Sequence, residues 1–173
     1  MNTFAHIKHI GSYDKVSYYS VVLENEEHSL FENFIAQHNN ANKEKLYHIV
    51  KWLEVIGNKY GAQTYLFRPE GKNADASALP PVENRSPSYI ENGNKKANSL
   101  RLYCLRANNN VVFLFNGDIK TTQKAQDCPN VSKHFNMANQ ISKAIDQAFI
   151  EKDILWNETL TDIVFNSVLM IQF

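Results

Sequence analysis

The sequence predicts an α+β fold: a small, mostly antiparallel sheet covered by a helical hairpin on one face, with an N-terminal hairpin and a C-terminal helix and strand added. Three observations predict it. Two pairs of β-branched and aromatic runs, residues 4–10 with 16–23 and 100–106 with 111–115, are each joined by a polar turn. Between the pairs, two stretches repeat apolar residues at three- and four-residue steps. The 173 residues are 43% hydrophobic, which suits one domain with a single core and excludes a disordered chain.

Residues 4–10 and 16–23 flank Gly11-Ser12-Tyr13-Asp14, which reads as the turn of a hairpin. Ser29 and Glu32 form the S-x-x-E signature of a helix start. Leu30, Phe31, Phe34, Ile35 and His38 then lie on one helical stripe, ended by Asn39-Asn40. A longer helix over 43–60 carries Leu46, Ile49, Val50, Leu53 and Ile56 on one face, with Gly57 and Gly61 at its exit. Two amphipathic helices with a short connection predict an antiparallel hairpin lying on a sheet, and the spacing assigns Phe31, Phe34 and Trp52 to the core or its border.

Residues 68–99 hold four of the five prolines and few large apolar side chains, which predicts a long flexible insertion rather than core. Residues 100–106 and 111–115 form the strongest strand pair, joined by Asn108-Asn109-Asn110. Strand alternation puts Leu100, Leu102 and Cys104 on one face and Arg101, Tyr103 and Leu105 on the other. The first set is core-like, so the second is expected to look away from the helices. A third helix over 130–152 has Val131, Phe135, Ala138, Ile141, Ile145, Ala148 and Phe149 as its stripe, and 162–173 is expected to end in a strand. Residues 1–173 read as a single domain.

Composition narrows the function classes. No apolar run approaches the roughly 18 residues that span a bilayer. Residues 1–11 lack the apolar core of a secretory signal, so the expected compartment is the cytoplasm. Cys104 and Cys128 do not make a disulfide framework or a zinc spacing, and the six histidines show no ligand geometry, so no metal or other cofactor is expected. His134, near a basic loop, is the one histidine to consider as an acid or base. The 18 basic and 18 acidic residues cancel, which excludes a chain held to nucleic acid by bulk charge alone. Yet Lys95, Lys96, Arg101, Arg106, Lys120 and Lys124 stand against Asp118 alone within residues 95–124. A cationic stretch is therefore set in an otherwise neutral to acidic chain.

The run Arg101-Leu102-Tyr103-Cys104, the strand Val111-Val112-Phe113-Leu114-Phe115 and the loop Ile119-Lys120-Thr121-Thr122-Gln123-Lys124 resemble the conserved end of the RelE/HigB toxin superfamily, in its phage-derived HigB-like branch. There an arginine-bearing strand of the type Y-R-I-L-Y precedes a hydrophobic strand and a K-K-T-Q-K-T-P loop. The likeness is tight over 100–125, a basic strand–hairpin–loop motif, and looser over 16–67, where a helix pair ahead of a strand pair also resembles that fold. Thr121 stands where the motif has its second lysine, and Gln126 where it has proline.

The resemblance implies a toxin of a bacterial toxin–antitoxin pair: a cytoplasmic, metal-independent, ribosome-dependent mRNA endoribonuclease (an mRNA interferase) that inhibits translation. The implied partners are mRNA, the ribosome and a small cognate antitoxin protein, with no membrane. The implied chemistry is attack of a ribose 2′-hydroxyl on the adjacent phosphate. It needs a proton acceptor, a proton donor for the leaving oxygen, and cations to hold the charge growing on phosphorus. Arginine's planar fork suits phosphate oxygens, and a lysine crowded by cations has a lowered pKa that lets it act as base.

Position by position, Arg101 matches the family's strand arginine and is implied to hold the scissile phosphate, while Lys120 and Lys124 match the first and last lysines of the loop. Tyr103 shares the strand face of Arg101, where it would stack on a base or pass a proton. These four are the catalytic candidates. Gln123, which matches the loop motif, is a candidate RNA contact, together with Arg106 and, outside the matched stretch, Arg68 and Lys72. An alternative reading is a non-catalytic relative that keeps the sheet and basic loop as a protein- or RNA-binding module, motivated by Thr121, the balanced charge and the insertion. A third is gyrase poisoning, as in the related ParE branch.

Overall fold

The computed structural model describes residues 3–71, 74–82 and 86–173. Strands β1 (Phe4–Ser12) and β2 (Ser17–Leu23) make the N-terminal hairpin, with a register shift between His9 and Gly11. Ser29 caps α1 (Leu30–His38): its hydroxyl accepts from the Glu32 amide, and the Glu32 carboxylate accepts from the Ser29 amide. Helix α2 (Lys43–Val55) runs on through a π-helical turn, Ile56–Tyr60, and stops at Gly61, whose φ of 74° is left-handed. Short strands β3 (Arg68–Pro69) and β4 (Ser77–Leu79) and the small hairpin of β5 (Ile90–Glu91) and β6 (Asn94–Lys95) follow. Then come β7 (Leu102–Arg106), β8 (Val111–Leu114), α3 (Ser132–Ile150), a second small hairpin of β9 (Ile154–Trp156) and β10 (Ile163–Phe165), and β11 (Ile171–Gln172).

The main sheet has seven strands in the order β11-β1-β2-β8-β7-β4-β3. All its pairings among the described residues are antiparallel except β2 with β8. The chain is thus an α+β protein with a mostly antiparallel sheet and, among the described residues, three α-helices. The expected terminal strand takes the form of β11, which pairs with the outer edge of β1.

Both faces of the sheet are covered. On one, Phe31 and Phe34 of α1 and Leu46, Ile49, Trp52 and Leu53 of α2 pack on Tyr18, Leu102, Cys104, Val112 and Leu114. On the other, Phe135, Ala138, Ile141 and Ile145 of α3 pack on Tyr19, Val21, Tyr103, Leu105, Phe113 and Phe115. Alternation along β7 and β8 follows the expected phase. The expectation that the Tyr103 face is bare does not hold, because the apolar stripe of α3 needs a surface and this is the remaining one.

The segment 68–99 departs from a mere insertion. It supplies β3 and β4 at the far edge of the sheet, and Ala76, Ala78 and Leu79 are buried there. The small side chains of Ala76 and Ala78 face the α3 core, and the Asn139 side chain accepts from the Ala76 amide at 2.9 Å. Further along, His48 of α2 pins the segment down. Its Nε2 donates to the Pro87 carbonyl at 2.9 Å, and its Nδ1 accepts from the Asn98 amide group at 2.9 Å. Asn98 in turn donates to the Lys45 carbonyl and accepts from the Leu100 amide.

Past Leu114 the chain continues beside β7: the Tyr103 backbone amide donates to the Asn116 carbonyl, that of Arg101 to the Asp118 carbonyl, and that of Lys120 to the Ser99 carbonyl. The two backbones approach so closely that a Cβ at Gly117 would lie 1.7 Å from the Arg101 carbonyl oxygen. Gly117→Ala is therefore expected to cost about 3 kcal/mol or more, read as a drop in the urea midpoint. A second outcome concerns pH. Burial lowers the His48 pKa from 6.5, against a smaller opposing effect of the Pro87 carbonyl. The unfolded chain then binds the proton first, so the stabilisation from neutral His48 is present above pH 6.5 and fades as pH falls below it. The melting temperature should fall on that acid side, and a His48→Gln variant should flatten the fall.

Candidate functional site

The antiparallel bridge between Leu100 and Ile119 extends the β7–β8 pairing and leaves Arg101 and Lys120 on the same side. Between them lies Glu70, just beyond β3. Its Oε2 meets Lys120 Nζ at 2.5 Å and its Oε1 faces Arg101 Nε at 3.4 Å. The Glu70 side chain has no solvent exposure, whereas Arg101 and Lys120 each keep 12%. An opposite-charge pair at about this distance gains about 4 kcal/mol at intermediate polarity, offset by several kcal/mol for removing each ion from water. The carboxylate is therefore held chiefly because two cations share it.

The Arg101 guanidinium also donates through Nη1 to the carbonyls of Asn98, at 2.6 Å, and Leu100, at 3.2 Å. Burial, and then the nearby Arg68 guanidinium, pull the Arg101 pKa down, while Glu70 opposes them. Arg101 stays protonated regardless. Tyr103 lies beneath, its ring 5.6 Å from that of Phe135. Its hydroxyl is buried without a hydrogen-bond partner among the described residues. Burial, and next the Glu70 carboxylate, push its pKa well above the ordinary phenol value.

The structure brings Arg101, Lys120 and Tyr103 together around Glu70, with the Arg68 guanidinium near Arg101. Tyr103 cannot stack on a base as expected, because α3 lies over it. Gln123 and Lys124 are exposed in the loop before α3. Arg106 is drawn into the scaffold: its Nε donates to the Ala62 carbonyl at 2.5 Å and its Nη2 to the Asn109 side chain. Its expected role as an RNA contact gives way to tying the β7–β8 turn to the chain after α2. Arg68 donates to the carbonyls of Pro80 and Pro81, both at 3.2 Å. Lys72 lies outside the described residues. His134 is on α3 and its Nε2 is buried without a hydrogen-bond partner among the described residues. Burial lowers its pKa.

Glu70 escaped the sequence reading. It stands in a proline-bearing stretch with no periodicity, and only the pairing of β3 with β4 and β4 with β7 carries it to Arg101. Thr121 gains a reason too: its amide and hydroxyl reach Cys128 Sγ at 3.3 and 3.4 Å. Burial would raise the Cys128 thiol, but these contacts and the amides of Asn130 and Val131 together bring it down to about 6. Among the described residues no group of three or more His, Cys, Asp or Glu is placed to hold a metal ion, and no helix is long and apolar enough to cross a membrane.

No family model, curated protein or solved structure matches the chain.

Removing the shared carboxylate leaves two cations partly buried beside each other. Glu70→Ala is expected to lower stability by about 3 kcal/mol in urea titration, at the low end for a broken buried pair because both cations still touch water. A Glu70→Ala/Lys120→Met double variant should recover part of that loss.

Proposed function

We propose that the chain is a RelE/HigB-like toxin that cleaves messenger RNA on the ribosome, with Glu70, Arg101 and Lys120 as its reactive centre. One observation carries the reading: two cations from the matched motif, nineteen positions apart in sequence, converge on a single buried carboxylate. A helix pair ahead of the strand pair, covering one face of the sheet, supports the same reading.

In the free protein Arg101 and Lys120 share the single charge of Glu70. An entering phosphodiester competes for the two cations, and that exchange releases the carboxylate beside the bound phosphate. Glu70 then accepts the 2′-hydroxyl proton as the 2′-oxygen attacks phosphorus. The Arg101 fork holds the non-bridging oxygens as charge grows on them. The Lys120 ammonium protonates the departing 5′-oxygen, leaving a 2′,3′-cyclic phosphate and a 5′-hydroxyl. Tyr103, under α3, acts as a positioning residue for this cluster, and the exposed Lys124 and Gln123 are left to meet RNA or ribosomal phosphates. A small antitoxin protein is the partner this reading requires.

The complete burial of Glu70 and the cover of α3 over Tyr103 favour a second reading, a non-catalytic relative that binds RNA or protein. Induction in a bacterial host separates the two. The first reading expects growth arrest and transcripts cut at defined sites with 5′-hydroxyl ends; Arg101→Ala should slow cutting about 100-fold. Glu70→Gln should stop cutting yet bind RNA more tightly, because it frees both cations. Undisturbed growth with intact transcripts would leave the binding module, and DNA breaks with intact transcripts would point to gyrase.

A further inference from the structure

A second basic feature lies on the other side of the molecule's α2 helix from its core-facing stripe. Lys43, Tyr47 and Lys51 recur at four-residue steps, so they form one line along α2 with about 6 Å between successive positions. They make one wall of a cleft of about 530 Å³ whose opposite wall is the Pro87–Ile90 segment. A second cavity of about 230 Å³ continues from it past His48 and Tyr89 to Arg68, Lys95 and Lys96. Five cations line this continuous groove, with Glu44 as the one carboxylate among its described lining residues. Lys45 is occupied at the rim, 3.7 Å from Glu91 and over the Tyr89 ring.

Two physical features fix what such a groove takes. The surplus of lysine and arginine in a chain of zero net charge favours a polyanion. The Tyr47 ring, 69% exposed on a rigid helix between two lysines, is a platform for a planar group and has little role in packing. Cations that track a backbone and an aromatic face between them are the requirements of single-stranded nucleic acid. The inner end of the groove also meets the cluster described above: Asn98 lines it and its carbonyl holds Arg101, and Arg68 lines it while acting electrostatically on Arg101.

We propose that this groove between α2 and residues 80–82 and 87–98 holds a single strand of RNA, with a base stacked on Tyr47 and phosphates on Lys43, Lys51, Lys95 and Lys96. The proposal rests on the RNA-directed reading of the function and adds to it a second contact surface, supplied by the segment that the motif likeness does not cover. The strand would run from the exposed face of α2 towards Arg68 and Arg101.

The test is fluorescence anisotropy of a labelled ten-nucleotide oligouridylate with the full chain, across a salt series. Tyr47→Ala and the pair Lys95→Glu/Lys96→Glu should each weaken binding about tenfold. The lysine pair should also lower the slope of log affinity against log salt by about 1.4. Thermal melting should not move, since all three side chains are exposed. Wild-type affinity and slope in these variants would overturn the groove, as would failure of the wild-type chain to bind the oligonucleotide. Equal affinity for polyglutamate would overturn it too, by assigning the groove to acidic protein. The reading of the cluster is judged separately, by transcript cutting: cuts by the groove variants with unchanged binding would sink the groove alone, and weakened binding with no cuts by wild type would sink the nuclease alone.

Discussion

A β-sheet clad on both faces has no open side on which chemistry can be displayed. That constraint governs this molecule. Tyr18 and Tyr19, Leu102 and Tyr103, and Val112 and Phe113 point alternately into two separate cores, one under α1 and α2 and one under α3. Polar groups that interact with anything else are pushed to the margins of the layer. Arg101 and Lys120 sit just beyond the end of β7, where the pairing has thinned to a single bridge. Only there can charged side chains lie against a buried acid and keep contact with water.

The acid has its own requirement. A carboxylate without solvent exposure is tolerated only when its charge is met, and Glu70 is met twice. The arrangement links three distant parts of the chain, since Glu70 follows β3, Arg101 precedes β7 and Lys120 follows the crossing at Gly117. The tight backbone approach at Gly117 and the anchoring of Thr121 on Cys128 fix the loop from which Lys120 projects. Geometry around the cluster is thus a property of the sheet edge as a whole rather than of one strand.

Much of this was legible in residue patterns. The capping pair Ser29 and Glu32, the stripes of α1 and α2 and the strong β7–β8 hairpin are local signals, and local signals survive into the structure. The alternation that set Tyr103 opposite Cys104 was also readable. What covers Tyr103 was not, because the stripe of α3 says that a helix needs a surface without naming which one. The strands β3 and β4 were hidden for a different reason: they span only two and three residues, and their burial depends on small side chains such as Ala76 and Ala78. Glu70 was invisible because its partners are joined to it only through the pairings of β3 with β4 and β4 with β7 and the bridge between Leu100 and Ile119. The bonds of His48 to Pro87 and Asn98 were not readable, because they come from a segment with no regular pattern.

The one parallel pairing among the described residues has a temporal meaning. Strand β2 ends at Leu23 and its neighbour β8 begins at Val111, with both helices of the hairpin and five other strands in between. During synthesis the inner edge of β2 stays unsatisfied until Val111, 88 positions after Leu23, has been made. Such distant closure makes assembly slow compared with the helices, which can form as soon as they emerge. For most of its birth the polypeptide therefore carries a ready template for mispairing, and whatever shields that edge in the interval acts before the mature protein exists.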